Sequence, residues 1–408
     1  MSNEDLLNPD AALAIILESV NQVGVERANL RQALGRTLAE DIRAQQDLPP
    51  FANSAMDGYA VVASDTRGAS RQSPCRLRVL AEQPAGKIVT AAVIPGSAVR
   101  IMTGAALPAG ADAVVIVEST EAKDGFVLIY DEAAPGANVR PAGGDVIQGQ
   151  LVLKAGTRIG PAEMGMLAAL GRQEVDVFRK PRVAIITTGD EIVDVSQPLA
   201  PGQIRDANHY SLVGQVVAVG ADPAMVRRVA DEREELAAVL LAAAESGDAI
   251  VTSGGVSVGA FDFVKETLGR LGEVRFWRIA MKPGKPLAFG FIAGKPLFGL
   301  PGNPVSSMVT FDLFVRPALL RMAGVKDVRP SMVTGVCSEA VAHKPGRREF
   351  VRAQAAWSDG RYLATPTGPQ GSGRLSSMLN ANCYLVIPEG RSDVAAGETV
   401  EIILWEWV

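Results

Sequence analysis

Five short segments gather glycine, hydroxyl and charged residues in patterns suited to holding an anion. They are Ser54-Ala-Met-Asp-Gly-Tyr59, Thr188-Gly-Asp-Glu191, Ser253-Gly-Gly-Val-Ser-Val-Gly259, Lys282-Pro-Gly-Lys-Pro286 and Pro301-Gly-Asn-Pro-Val-Ser306. Glycine lets a backbone N–H approach a phosphate closely, hydroxyls add donors, lysine adds compact positive charge, and carboxylates hold a hard cation. Together they describe a site for a small anionic, phosphorylated ligand.

Each segment has its own logic. Ala249 to Gly259 reads as an apolar strand running into a Gly/Ser loop before a helix, so Ser253, Gly254, Gly255 and Ser257 stand where strands of an open α/β sheet end and helix N–H groups are free. A plain tight turn would use the same glycines. The chain has no G-x-x-x-x-G-K-[ST] and no clean G-x-G-x-x-G after a strand, which disfavours a P-loop NTPase or a dinucleotide site. Arg182 to Glu191 has the same layout and ends in Thr188, Asp190 and Glu191, two adjacent carboxylates suited to Mg²⁺ beside substrate phosphates. Helix capping in a solvated loop accounts for those acids as well. Lys282 and Lys285 sit on a turn stiffened by prolines, and Asn303 followed by Pro304 reads as the cap and first residue of a helix carrying Ser306. Gly346 to Arg352 and Gly371 to Ser377 add Arg347, Ser372 and Ser376. Only two histidines exist, His209 and His343, read as structural or exposed, and no Ser/His/Asp or Cys/His arrangement is legible.

Composition narrows the classes. A chain of 408 residues with 48% hydrophobic content should form two to four domains with ample core. A net charge of −5 argues against a general nucleic-acid binder, so any anion must be caught by local cations. Cys75, Cys337 and Cys383 are isolated, giving neither a disulfide framework nor a zinc pattern. The start, with Glu4 and Asp5, lacks a basic n-region, and no apolar run of about 18 residues occurs, so a cytoplasmic location away from membranes is expected.

Periodicity supplies the elements that must position these residues. Residues 10 to 23 read as a first helix. From 51 to 142 short alternating runs punctuated by Gly and Pro read as a small β-rich domain, inserted into an N-terminal mixed domain made of 1–50 and 143–178. From Val183 strands alternate with helices (Asn208 to Val219, Glu232 to Ala244, Phe261 to Leu271), which predicts a central parallel-sheet α/β domain over 179–326, with Pro304 to Met322 as one more helix. Short strands after Gly324 predict a C-terminal β domain over 327–408.

In this order the segments resemble the MoeA family, the molybdopterin molybdenumtransferases, which include the E domain of gephyrin. SAMDGYA, IMTGAALPAGADAVV, PAGGDV, TTGDE, SGGVSVGAFD, KPGKP, LPGNPVSS, GRREFVR and GSGRLSS span essentially the whole chain. The resemblance implies a four-domain homodimer that takes adenylylated molybdopterin and molybdate, inserts molybdenum and releases AMP with Mg²⁺. Its implied partners are a MogA-like adenylyltransferase and downstream molybdenum cofactor proteins, and its active cleft lies between the central domain of one subunit and the inserted domain of the other. Carried over by position, Asp57, Thr103 and Asp145 reach the cleft from the N-terminal half; Asp190, Glu191, Asp231 and Asp262 supply acids for the metal or for water. Lys282, Lys285, Ser306, Arg347, Ser372 and Ser376 hold molybdate and the pterin phosphate. Asp231 rests on spacing alone, and Ala260 stands where the family commonly has an acid, which places weight on Asp262 and leaves the number of metal ions open. Two rivals are ATP-dependent adenylylation of molybdopterin and a peptide-binding scaffold.

Overall fold

The structure of the protein, a computed structural model, describes residues 6–230, 232–254 and 267–405. Asn8 and Pro9 start the first helix, Pro9–Ser19: the Asn8 side chain accepts from the Asp10 N–H at 2.8 Å, and proline stands where no intrahelical donor is required. Strand Val25–Asn29 pairs with Glu174–Phe178, and Ile42–Arg43 with Leu151–Leu153. Their shared core draws on residues 28–44 and 146–177, so the chain leaves this core and later returns to it. In between lies a six-stranded sheet ordered Ala113–Ile116, Gly58–Val61, Ser97–Ile101, Cys75–Gln83, Phe126–Ile129, Thr120–Lys123.

The central sheet has six strands: β1 (Arg182–Thr188), β2 (Asp222–Val229), β3 (Ala249–Ser253), β4 (Gly272–Arg278), β5 (Pro286–Ile292) and β6 (Lys295–Leu300), in the order β2-β1-β3-β6-β5-β4. Helices α1 (Ala207–Ala218) and α2 (Arg233–Ser246) make the crossovers that parallel neighbours need. Val183 and Ile185 of β1 enter one core and Ala184 and Ile186 another, which is why the strand is apolar at successive positions. The sheet is mixed, which corrects the expectation of a parallel one: β2, β1, β3 and β6 are parallel, while β5 runs antiparallel to both β6 and β4. Ala293 and Gly294, with φ of 47° and 75°, turn the chain between β5 and β6, and a two-residue turn with both φ positive joins antiparallel strands.

The helix expected over Pro304 to Met322 is three segments: α3 (Pro304–Thr310), a π-helical stretch Phe311–Val315, and Arg316–Met322. Pro317 has no N–H and crowds the carbonyl four residues back, which accounts for the widened turn. That turn buries Asp312, whose carboxylate accepts from Tyr384 Oη–H at 2.5 Å and Gln215 Nε2–H at 2.7 Å. Burial nevertheless pushes its carboxyl from 3.8 up to about 6, and pushes the Tyr384 phenol up as well. A carboxyl raised on folding adds stability that is full below the unfolded value of 3.8 and is lost as pH climbs through about 6, a step of about 3 kcal/mol. Asp312→Asn should abolish that step. In urea unfolding the wild type should lose about 3 kcal/mol relative to the variant between about pH 3 and pH 7, and a difference independent of pH would contradict the assignment.

After α3 and its continuation, five strands close into a barrel: Arg348–Ser358, Arg361–Pro366, Met332–Cys337, Thr399–Leu404 and Cys383–Ile387, the last pairing back onto the first. The short strand Met281–Lys282 adds to the barrel in parallel register with Arg348 and Glu349, tying the lysine turn to the C-terminal region. Among the described residues no helix is long and apolar enough to cross a membrane.

Candidate functional site

At the carboxyl ends of β1 and β3, the loops beyond them and the starts of α1 and α3 enclose a cleft of about 380 Å³. Thr188, Glu191, Ser253, Gly254 and Asn303, singled out from separate segments, all line it. Its floor is a hydrogen-bonded frame. Asn208 Nδ2 donates to Ser253 Oγ at 2.8 Å and to the Gly302 carbonyl at 2.7 Å, while Ser253 Oγ donates to the Pro301 carbonyl at 3.1 Å. Asp206 caps α1 by accepting the His209 N–H at 3.0 Å and also accepts from Thr187 Oγ1. When these bonds are made, Thr188 Oγ1 and Asn208 Oδ1 remain buried with no hydrogen-bond partner among the described residues. Leaving such a group unsatisfied costs about 1–3 kcal/mol, so a polar ligand at this wall would relieve a standing penalty.

Asp206 and Asn208 were not anticipated. Asp206-Ala-Asn208 ahead of an apolar helix is a capping signal that could have found the aspartate, but nothing local says that Asn208 ties three loops together.

Asn303 behaves differently from expectation. It precedes α3 with Pro304 in the first turn, yet its side chain makes no capping bond. The Val305 N–H that it would have taken donates instead to the Ser372 carbonyl at 3.2 Å, a group delivered from the barrel. The Asn303 side chain therefore stays exposed at the cleft.

A basic junction adjoins this cleft. Lys282 and Lys285 are exposed, and the next residue, Pro286, forms part of the cleft wall. Lys282 Nζ lies 2.7 Å from Glu349 Oε1, and Glu349 Oε2 lies 2.8 Å from His343 Nδ1. Arg347 and Ser372 are half-buried, and Ser376 opens the short helix Ser376–Leu379 with its side chain exposed. Arg352, passed over in the sequence except as the end of its segment, is buried; its Nε–H donates to Ser377 Oγ at 3.2 Å and its Nη2–H to the Gly371 carbonyl at 3.3 Å. Burial pushes its guanidinium down, and no ion pair holds it among the described residues. A buried guanidinium with donors to spare is suited to an anion.

Other expected residues lie apart from the cleft. Asp57 accepts the backbone N–H (2.6 Å) and hydroxyl (2.7 Å) of Thr103, bonds that hold its carboxyl below the usual carboxylate range. That pair and Asp145 are exposed and do not line the cleft of their own chain. Ser306 is buried within α3, and Asp190 is exposed at the exit of β1 without lining the cleft. Asp231, Gly255, Ser257 and Asp262 lie outside the described residues. Among those described, no three His, Cys, Asp or Glu side chains assemble as a metal cluster.

These features define a class: a multidomain α/β protein with a polar cleft at the strand ends of a mixed sheet and a C-terminal barrel joined to the lysine turn. Residues 7–171 match the MoeA N-terminal region (domain I and II), 184–321 a "probable molybdopterin binding domain", and 334–405 the MoeA C-terminal region (domain IV). Molybdopterin molybdenumtransferase 2 of Mycobacterium tuberculosis is 40% identical over 379 residues, covering 91% of this chain and 93% of the relative. The molybdopterin molybdenumtransferase of Haemophilus influenzae is 37% identical over 401 residues, covering 97% and 98%. A crystal structure of the molybdopterin biosynthesis MoeA protein from Pyrococcus horikoshii superposes with a TM-score of 0.85 at 33% identity, over 98% of this chain and 100% of the other. The chain belongs to the MoeA family.

Proposed function

We propose that this chain is a cytoplasmic transferase of molybdenum cofactor biosynthesis that inserts molybdenum from molybdate into adenylylated molybdopterin and releases AMP. The observation that carries this reading is a pair of buried atoms, Thr188 Oγ1 and Asn208 Oδ1, that find no partner among the described residues, in a cleft adjoining a lysine-bearing junction. The pterin nucleotide belongs in the cleft, where Ser253, Gly254 and Asn303 offer donors at strand and helix ends. Molybdate, a tetrahedral dianion, belongs at the junction with Lys282, Lys285, Arg347, Ser372 and Ser376. Asp57 and Thr103 do not line their own chain's cleft, which supports a homodimer in which a second copy brings them and Asp145 to it.

Asp190 and Glu191 are exposed oxygen donors at one strand exit, a set that suits Mg²⁺, which takes one or two carboxylates and completes its shell with substrate phosphates. Asp262 joins them by resemblance. When bound, the ion neutralises phosphate charge. Lysine ammonium groups stabilise charge on the departing AMP, Glu191 orients water toward the phosphoanhydride, and the cleft fixes the geometry, so positioning and electrostatics supply most of the rate. No covalent nucleophile is required.

The test is a mixture of the purified protein, adenylylated molybdopterin and Mg²⁺, assayed for AMP with and without molybdate. AMP release dependent on molybdate, with formation of active cofactor, is expected. Absence of AMP, or formation of adenylylated pterin from ATP and molybdopterin, would overturn the proposal.

A further inference from the structure

The geometry points to Glu349 as the positioning residue of Lys282, with His343 fixing Glu349 in turn. This inference rests on the reading of Lys282 as an anion-binding residue. Glu349 and His343 are buried, with side chains 4% and 2% exposed, whereas the Lys282 side chain is 46% exposed. The two Glu349 oxygens divide their contacts: Oε1 takes the Lys282 ammonium and Oε2 faces His343 Nδ1. A carboxylate only accepts, so the imidazole carries its proton on Nδ1 and donates it; Nε2 is buried with no partner among the described residues. The backbone N–H of His343 is itself held by Asp393 at 2.7 Å.

The backbone supports the same arrangement. Lys282 lies in register with Glu349 across the parallel pair, and the Arg348 N–H donates to the Ala280 carbonyl at 2.9 Å. With Pro283 fixing the following φ, the freedom left to Lys282 is that of its four-carbon stem, and the ion pair removes it. A lysine chosen only for its charge would need no carboxylate buried beneath it. A buried carboxylate neutralises part of that charge, so what it contributes is a defined place for the ammonium.

The test compares wild type with Glu349→Gln, which keeps the shape and loses the charge, and Glu349→Asp, which keeps the charge but withdraws it by one methylene. The rate of acylation of Lys282, followed by peptide mass spectrometry on the folded homogeneous protein, should rise about fivefold or more in Glu349→Gln and by a smaller factor in Glu349→Asp. The dissociation constant for molybdate, read by calorimetry, should rise about tenfold in Glu349→Gln. Unchanged Lys282 acylation in both variants overturns the inference, as does tighter molybdate binding, which would make Glu349 a competitor of the anion. Faster acylation with unchanged molybdate affinity upholds the positioning and instead removes Lys282 from the proposed molybdate site. Should Glu349→Gln fail to fold, Glu349→Asp decides the matter by the same two measurements.

Discussion

Replacing Lys282 with alanine is expected to lower molybdenum insertion by about 10²-fold or more, the loss typical of a preorganised charge that acts on a transition state. Two effects are mixed in that substitution. The ammonium is removed from the anion, and Glu349, buried and 2.7 Å from Lys282 Nζ, loses its cation. Stranding a fully buried carboxylate costs several kcal/mol, but the Lys282 side of this pair is half open to water, so a destabilisation of about 1–2 kcal/mol is expected. The double variant Lys282→Ala, Glu349→Gln separates them: stability should return while turnover stays low. The readouts are urea unfolding and single-turnover AMP release on the same preparations. Wild-type turnover in the folded single variant would remove Lys282 from the chemistry.

Gly254→Ala is expected to weaken binding of the pterin nucleotide by about tenfold or more, because misplacing a group that bonds the ligand costs about 1–3 kcal/mol. Gly254 has a φ of 91°, in the left-handed region, and a Cβ built there would lie 2.2 Å from the Thr188 carbonyl oxygen. That oxygen belongs to β1, which is hydrogen-bonded to β2 on one side and β3 on the other, so it has little freedom to retreat. Strain of about 1–3 kcal/mol from the backbone conformation alone adds to the clash. Displacement of Thr188 would also move its Oγ1, which is buried without a partner among the described residues. Gly165→Ala serves as the control: nothing lies within 4 Å of a Cβ there, it stands in helix Pro161–Ala169, and binding should be unaltered. Fluorescence titration with the pterin nucleotide and a melting curve decide the matter. Gly254→Ala with wild-type affinity would show that the strand-end loop does not shape the site.

Much of this was legible locally. Apolar runs ending in Gly, Ser and acidic residues placed β1 and β3 with their ligand-bearing ends, because burial on both faces leaves a continuous hydrophobic signature and the polar break marks where the strand leaves the sheet. Asn8-Pro9 marked a helix start for the same local reason. The order of the motifs was enough to indicate the family.

What the sequence could not settle depends on which distant segment arrives at a given atom. The direction of β5 turned on two residues, Ala293 and Gly294, whose positive φ has no strong signature when alanine holds the first position. Asn303 makes no capping bond, and the Val305 N–H donates to the Ser372 carbonyl instead. Glu349 and Arg352 stand in a charged segment, and only closure of the barrel buries them. Caps, turns and periodicity act over a few residues and are written in side-chain type. Burial, strand direction and competition for a hydrogen-bond donor are settled only when separate stretches of chain pack together, and those contacts decide which charges stay exposed and which are held in place.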